Sequence, residues 1–185
     1  MGAGSPARWL AWLNRMWLLY HLHDRRFRFM FEPPPVDEWV ALDCETTGLD
    51  VNTDEIISIA AVRIAGNRVM TSERLELLVR PERRVSPESV RIHQPREQDV
   101  AKGTSPEQAM TTLVQFIGSR PLVGYYLEFD VAMIDRALIP ILGDNMGLPQ
   151  PRHEVSAMYY YYKYLQLPRH LRDNPTIDLR FATLM

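Results

Sequence analysis

The stretch Trp39-Val40-Ala41-Leu42-Asp43-Cys44-Glu45-Thr46-Thr47-Gly48-Leu49 constrains this chain most: an apolar run that ends abruptly in two carboxylates one residue apart. As a strand from Trp39 to Glu45, it carries Asp43 and Glu45 on one face and Cys44 on the other, because side chains alternate. Two carboxylates side by side at the end of a buried strand repel, and their desolvation is costly. A hard divalent cation with oxygen ligands relieves both problems, so magnesium or manganese is the natural reading. The alternative is a solvated strand end with two chance acids. Thr46, Thr47 and Gly48 follow as a tight turn whose amides and hydroxyls can meet phosphate or sugar oxygens.

A length of 185 residues suits one domain with a sizeable core. The net charge of −2 argues against holding nucleic acid by bulk electrostatics, while leaving room for an enzyme that engages a short strand end through metals. Cys44 is the single cysteine, which excludes an intramolecular disulfide and fits a reducing cytoplasm. No Cys/His cluster has zinc spacing.

Residues 1–35 form an expected arm. Arg8 to Leu22 has the apolar periodicity of an amphipathic helix, with Trp9, Trp12, Leu13, Met16 and Tyr20 on one stripe. Arg15 interrupts it, and it is too short for a membrane span. Three roles stay open: a helix docked on the domain, a partner-binding helix, or an interfacial membrane helix. Arg25, Arg26 and Arg28 follow among phenylalanines, either touching phosphate or simply solvated. Glu32-Pro33-Pro34-Pro35 is a stiff linker and marks the boundary with the main domain, 36–185.

Beyond Trp39–Glu45, Glu55–Ile64 reads as a second, central strand, Gly66-Asn67 as a hairpin turn and Arg68–Val79 as a third strand. Pro81 to Lys102 is expected to be loop with short helical pieces. Ser105-Pro106-Glu107-Gln108 starts a helix with the stripe Met110, Leu113, Val114 and Ile117, ended by Gly118. Pro121–Tyr125 is a short strand and Glu128-Phe129-Asp130 opens a helix that Pro140 should kink. Arg152–Met158 is expected to be a fifth strand with Val155 and Ala157 on one face. Tyr159–Tyr162 and Tyr164 then read either as a stacking platform for bases or as a half-buried wall with hydroxyls in water. A final helix is expected over Asp178–Met185.

Val-Ala-Leu-Asp-Cys-Glu-Thr-Thr-Gly-Leu at 40–49 resembles the first exonuclease motif of the DnaQ-like (DEDD) 3′–5′ exonucleases. Leu-Val-Gly-Tyr-Tyr-Leu-Glu-Phe-Asp-Val-Ala-Met-Ile at 122–134 resembles the second, with Tyr125-Tyr126 where the family usually has His-Asn. The resemblance implies an α/β, ribonuclease H-like mixed sheet, three antiparallel strands followed by parallel ones, flanked by helices and preceded here by a helical extension. It implies Asp43, Glu45 and Asp130 as catalytic, metal-binding carboxylates for two Mg²⁺ or Mn²⁺ ions. Thr46, Thr47 and Gly48 would position the terminal nucleotide of a single-stranded 3′ end of DNA or RNA. His93 sits where the family places an Ile-His-Gly-type segment beside the substrate groove. Cys44, on the opposite strand face, is rejected as a nucleophile.

The family's third motif, His-x-x-x-x-Asp or Tyr-x-x-x-Asp, does not occur after Asp130. The expectation is therefore three of four metal carboxylates and no general base. The chain is then either a fragment whose C-terminal end is missing or a degenerate relative of low activity. The competing readings are a non-catalytic nucleic-acid-binding module and a scaffold for a polymerase or a second copy, engaged through the N-terminal arm.

Overall fold

In the computed structural model the described residues are 6–82, 102–144, 146–169, 172, 175 and 177, with side chains from Leu13 onward, Asn14 excepted. Strand β1, Glu38–Thr46, lies at the middle of a five-stranded sheet of order β3-β2-β1-β4-β5. Its alternation sets the two layers: Val40 and Leu42 are buried under the helices, while Asp43 between Leu42 and Cys44 is exposed. Strands β2, Ile56–Ala65, and β3, Arg68–Leu78, extend it antiparallel, joined through Gly66 at φ 57°. Strands β4, Leu122–Gly124, and β5, Arg152–Glu154, add on the other side in parallel. This is the ribonuclease H-like mixed sheet expected from the sequence.

Helix α1 spans Pro6–His21, and a 3-10 helix, Arg25–Phe31, follows it, started by Asp24, which accepts from the Arg26 amide at 2.9 Å. The arginine cluster thus sits on an ordered turn, and Phe27, Met30 and Phe31 between the arginines point inward. Together with Leu22 they belong to the same core cluster as Val40, Leu42 and Ile59. Core contacts therefore cross the Pro-rich linker at 33–35, which carries no helix or strand.

Helix α2, Pro106–Ile117, starts as its sequence predicts, with the Ser105 hydroxyl accepting from the Gln108 amide at 3.4 Å and Pro106 in the first turn. Its stripe of Ala109, Met110, Leu113, Val114 and Ile117 is buried. Helix α3, Leu127–Leu142, packs beside it with Val131, Met133, Ile134 and Leu138 inward. Pro140 lies inside the last turn, where residue 140 has no amide hydrogen to donate to the Arg136 carbonyl.

At the start of β1, the Glu38 carboxylate accepts from Arg63 at 2.6 Å and Arg120 at 2.7 Å. The Arg120 contact, then the Arg63 contact, hold its carboxyl below the ordinary value. This fixes the end of β1 remote from Asp43 and Glu45.

The expected fifth strand is corrected. Only Arg152–Glu154 is extended, and Val155–Gln166 is a helix, α4. The switch has a local cause: the Glu154 side chain accepts from the Ser156 amide at 3.1 Å and caps the helix that begins at Val155. Val155 and Ala157 consequently do not share a strand face. The tyrosines stand on a helix, where Tyr160, Tyr161 and Tyr162 are exposed and Tyr159 and Tyr164 are half-buried. Expectations for residues 83–101, His93 among them, and for the final helix at 178–185 lie outside the described residues. Among the described residues no helix is long and apolar enough to cross a membrane.

Candidate active site

Asp43 and Glu45 project from the last residues of β1. Between Glu45 and Thr46 the pairing with β2 slips, so that Glu45 opposes Ser58 and Thr46 opposes Ile56. A bulge of this kind twists a strand end and re-aims its side chains, a device frequent beside active sites. Asp43 also borders a shallow trough of about 270 Å³ on the open face of the sheet, floored by Ala41, Ala60, Val62 and Val123.

Asp130 arrives from the neighbouring unit. Gly124 ends β4, and a Cβ there would lie 2.8 Å from the Leu42 carbonyl oxygen, so the glycine is what lets β4 press against β1. Val40 donates to the Pro121 carbonyl at 3.0 Å, so the even-numbered amides of β1 face β4. The ladder ends at Gly124, and the Cys44 amide, the next of that series, donates to the Asp130 carboxylate instead. Asp130 is only 4% exposed. Desolvation, then the charges of Asp43, Glu154 and Glu45, push its carboxyl up to about 7, against the one amide bond that opposes the shift. Partial desolvation by its neighbours also raises Asp43, although its side chain reaches solvent. The three expected carboxylates are thus brought into mutual electrostatic range from β1 and α3.

The donor set is all oxygen, like-charged and partly desolvated, which suits a hard divalent cation by chemistry. Among the described residues no group of three His, Cys, Asp or Glu side chains is arranged to hold a metal ion as it stands. The acids form an open cluster, not a closed cage. Cys44 packs against the core on the other strand face, where burial and the charges of Asp130, Asp43 and Glu45 push its thiol well above the ordinary value. A thiolate there is disfavoured.

The Thr-Thr-Gly turn is committed internally. Thr46 is buried and its hydroxyl donates to the Gly48 carbonyl at 2.6 Å. The Thr47 hydroxyl donates to Asp54 at 2.9 Å and accepts from the Glu55 amide at 3.0 Å. A Cβ at Gly48 would fall 2.5 Å from the Asp54 carboxylate, so the glycine serves that side chain's approach. These hydroxyls shape the turn bordering the acids; the sequence had suggested nucleotide contacts for them.

Glu154 escaped the sequence reading. A lone glutamate in a three-residue strand carries no motif, yet its charge bears on Asp130, and its carboxylate accepts from the Tyr126 amide at 2.8 Å.

Against known proteins, a model of the RNase_T family, described as exonuclease, matches residues 40–177. The chain belongs to the DnaQ-like exonuclease family. The match begins inside β1, two residues after the sheet's central strand starts, and takes in both motif segments. Among curated relatives, the chain is 32% identical over 118 residues to a DNA polymerase III subunit epsilon-like protein of Rhodobacter capsulatus, covering 62% of this chain and 17% of that one. It is 30% identical over 111 residues to a PolC-type DNA polymerase III of Thermotoga maritima, covering 60% and 8%. With the epsilon subunit of DNA polymerase III from Aquifex aeolicus it shares 26% over 98 residues, 53% of this chain and 48% of that one. The chain therefore spans less than half the length of these relatives. In fold it is similar to the zinc-bound form of E. coli exonuclease I in complex with single-stranded DNA, with TM-score 0.65 at 16% identity over 80% of this chain and 34% of that one.

Proposed function

We propose that this DnaQ-like domain is a metal-dependent 3′–5′ exonuclease module acting on single-stranded nucleic-acid ends, with Asp43, Glu45 and Asp130 as its metal carboxylates. The observation that supports it most is the buried Asp130 carboxyl, on which the charges of Asp43 and Glu45 bear and to which, among the described residues, no cation brings a compensating charge. Such an arrangement costs stability and persists where function needs it. Bound there, two Mg²⁺ or Mn²⁺ ions supply an activated water and charge stabilisation for the departing 3′ oxygen. The chain's own residues divide the remaining work. Asp43, exposed beside the sheet trough, is the ligand reachable from solvent; Asp130 is held by the Cys44 amide; the 46–48 turn borders the entry of the terminal nucleotide. His93 remains a substrate-side candidate on its sequence position alone.

A second reading, a nucleic-acid-binding or polymerase-associated module that keeps the fold without turnover, has its own support. Among the described residues no three acids are arranged to hold a metal ion as they stand, and that is the observation this reading rests on. A single strand labelled at its 3′ end separates the two. The exonuclease reading expects slow mononucleotide release with Mn²⁺ that stops with chelator and in Asp43→Ala. The loss of a general base typically costs about 10²–10⁴-fold, so high enzyme concentration is required. Retention of the strand in chelator with no release at any concentration would leave only the binding module. Vigorous Asp43-dependent release would mean that one of His93, His153 or His170 acts as base.

A further inference from the structure

Strand β5 has only three residues, and two of them face α3. Arg152 and Glu154, one residue apart on an extended chain, lie on the same face. Arg152 reaches Glu128 at 2.8 Å and Asp135 at 3.3 Å. Glu154 does more. One carboxylate oxygen accepts from the Tyr126 amide at 2.8 Å, the Ser156 amide at 3.1 Å and the Ser156 hydroxyl at 2.6 Å, and the other from the Glu128 amide at 3.4 Å. A single side chain therefore takes up the free amides at the start of two helices, α3 and α4. Helix α3 needs this service, because Tyr126 at its N-cap makes no side-chain cap bond and sits in the left-handed region, φ 53° and ψ 34°. A residue with a Cβ rarely adopts that conformation unless its surroundings impose it. Asp130 follows four residues later, in the first turn that Glu154 anchors.

We propose that Glu154 is a positioning residue for Asp130: by capping α3 and α4 together it holds the left-handed Tyr126 turn and so fixes the helix that presents Asp130 to the end of β1. The consequence for metal binding rests on the exonuclease reading above; the positioning itself does not. Glu154 makes no contact with substrate or reacting atoms in this role, and acts through the backbone of Tyr126 and Glu128.

The test compares wild type, Glu154→Ala, Glu154→Gln and Ser105→Ala, the last removing the cap of α2, away from the site. Amide hydrogen exchange at Cys44 in the metal-free protein reads the Asp130 position directly, since that amide's partner is the Asp130 carboxylate. Mn²⁺ titration by water-proton relaxation reads the consequence. Glu154→Ala should lose Cys44 protection and weaken Mn²⁺ binding about 10- to 100-fold, the usual effect of removing a group that orients a ligand. Glu154→Gln, which keeps an acceptor for Tyr126 and Ser156, should restore most of both. Ser105→Ala should move neither, although it lowers the melting temperature. Wild-type Cys44 protection in Glu154→Ala would overturn the proposal, as would equal loss in Ser105→Ala, which would mark general loosening. If wild type binds no Mn²⁺ while Cys44 protection still depends on Glu154, the positioning stands and the metal-site reading falls.

Discussion

Asp130 shows how one residue can be legible in a sequence while its energetics are not. Phe129-Asp130 at a helix start, read together with Asp43-Cys44-Glu45, was enough to expect it beside β1, and in the structure the charges of Asp43 and Glu45 bear on it. What periodicity and motif could not show is that its counterpart charge is another acid, Glu154, reached from a strand too short to leave a pattern. The raised carboxyl has a testable consequence. With its native value about 7 against an ordinary 3.8, the folded protein holds a proton between those limits that the unfolded chain has released. The native state binds more protons there, so metal-free stability falls as pH rises from about 4 to 7 and levels off above. Asp130→Asn removes this dependence while keeping an acceptor for the Cys44 amide. Urea unfolding in chelator at pH 5 and pH 8 should show the variant gaining on wild type by about 2.5 kcal/mol across that interval, at roughly 1.4 kcal/mol for each of the two pH units up to the native value. A gap that does not change with pH would mean Asp130 is not buried among acids in solution.

At the scale of elements, the helices with capping chemistry and the long strands were legible: Ser105-Pro106 and Gly118 bound α2, and β1 to β3 fall within a residue or two of their hydrophobic runs. The β5–α4 junction was not, because Arg152–Met158 has no local breaker, and the switch from extended to helical is made by the Glu154 side chain. Helical geometry also decides what the tyrosines are. Met158, Tyr161, Tyr162 and Leu165 recur at helical spacing and are all exposed, whereas Ser156 is the buried residue of α4. Lys163 instead lies over the Tyr159 ring, 5.3 Å from its centroid, on the helix's other side. Tyr161→Ala and Tyr162→Ala should therefore cost no more than about 0.5 kcal/mol each in chemical denaturation, the usual range for surface positions. If they stack bases, the same variants should weaken retention of a single strand by about 1–3 kcal/mol per base. Losses of stability above 2 kcal/mol would show that this face is covered in solution.

At the scale of the whole molecule, the arm is bound to the domain by one face and open on the other. Leu22, Phe27, Met30 and Phe31 sit in the common core, and Leu18 and Leu19 pack against it. Leu13, Met16 and Trp17 are about half exposed and Tyr20 is 85% exposed, so the described members of the apolar stripe read from the sequence, Leu13, Met16 and Tyr20, lie outward with Trp17 beside them, at i, i+3, i+4, i+7. The two faces predict different losses. Phe27→Ala opens a cavity in the core and should cost about 3–5 kcal/mol in unfolding free energy. Trp17→Ser combined with Tyr20→Ser removes only exposed surface, so stability should stay within about 0.5 kcal/mol of wild type. The double variant should nevertheless be less self-associated in sedimentation velocity, or bind a polymerase partner less well, if the outer stripe is a docking face. An unchanged sedimentation coefficient and unchanged partner binding would make the stripe ordinary surface. A loss of stability matching that of Phe27→Ala would place Trp17 and Tyr20 inside the core, against the geometry of α1.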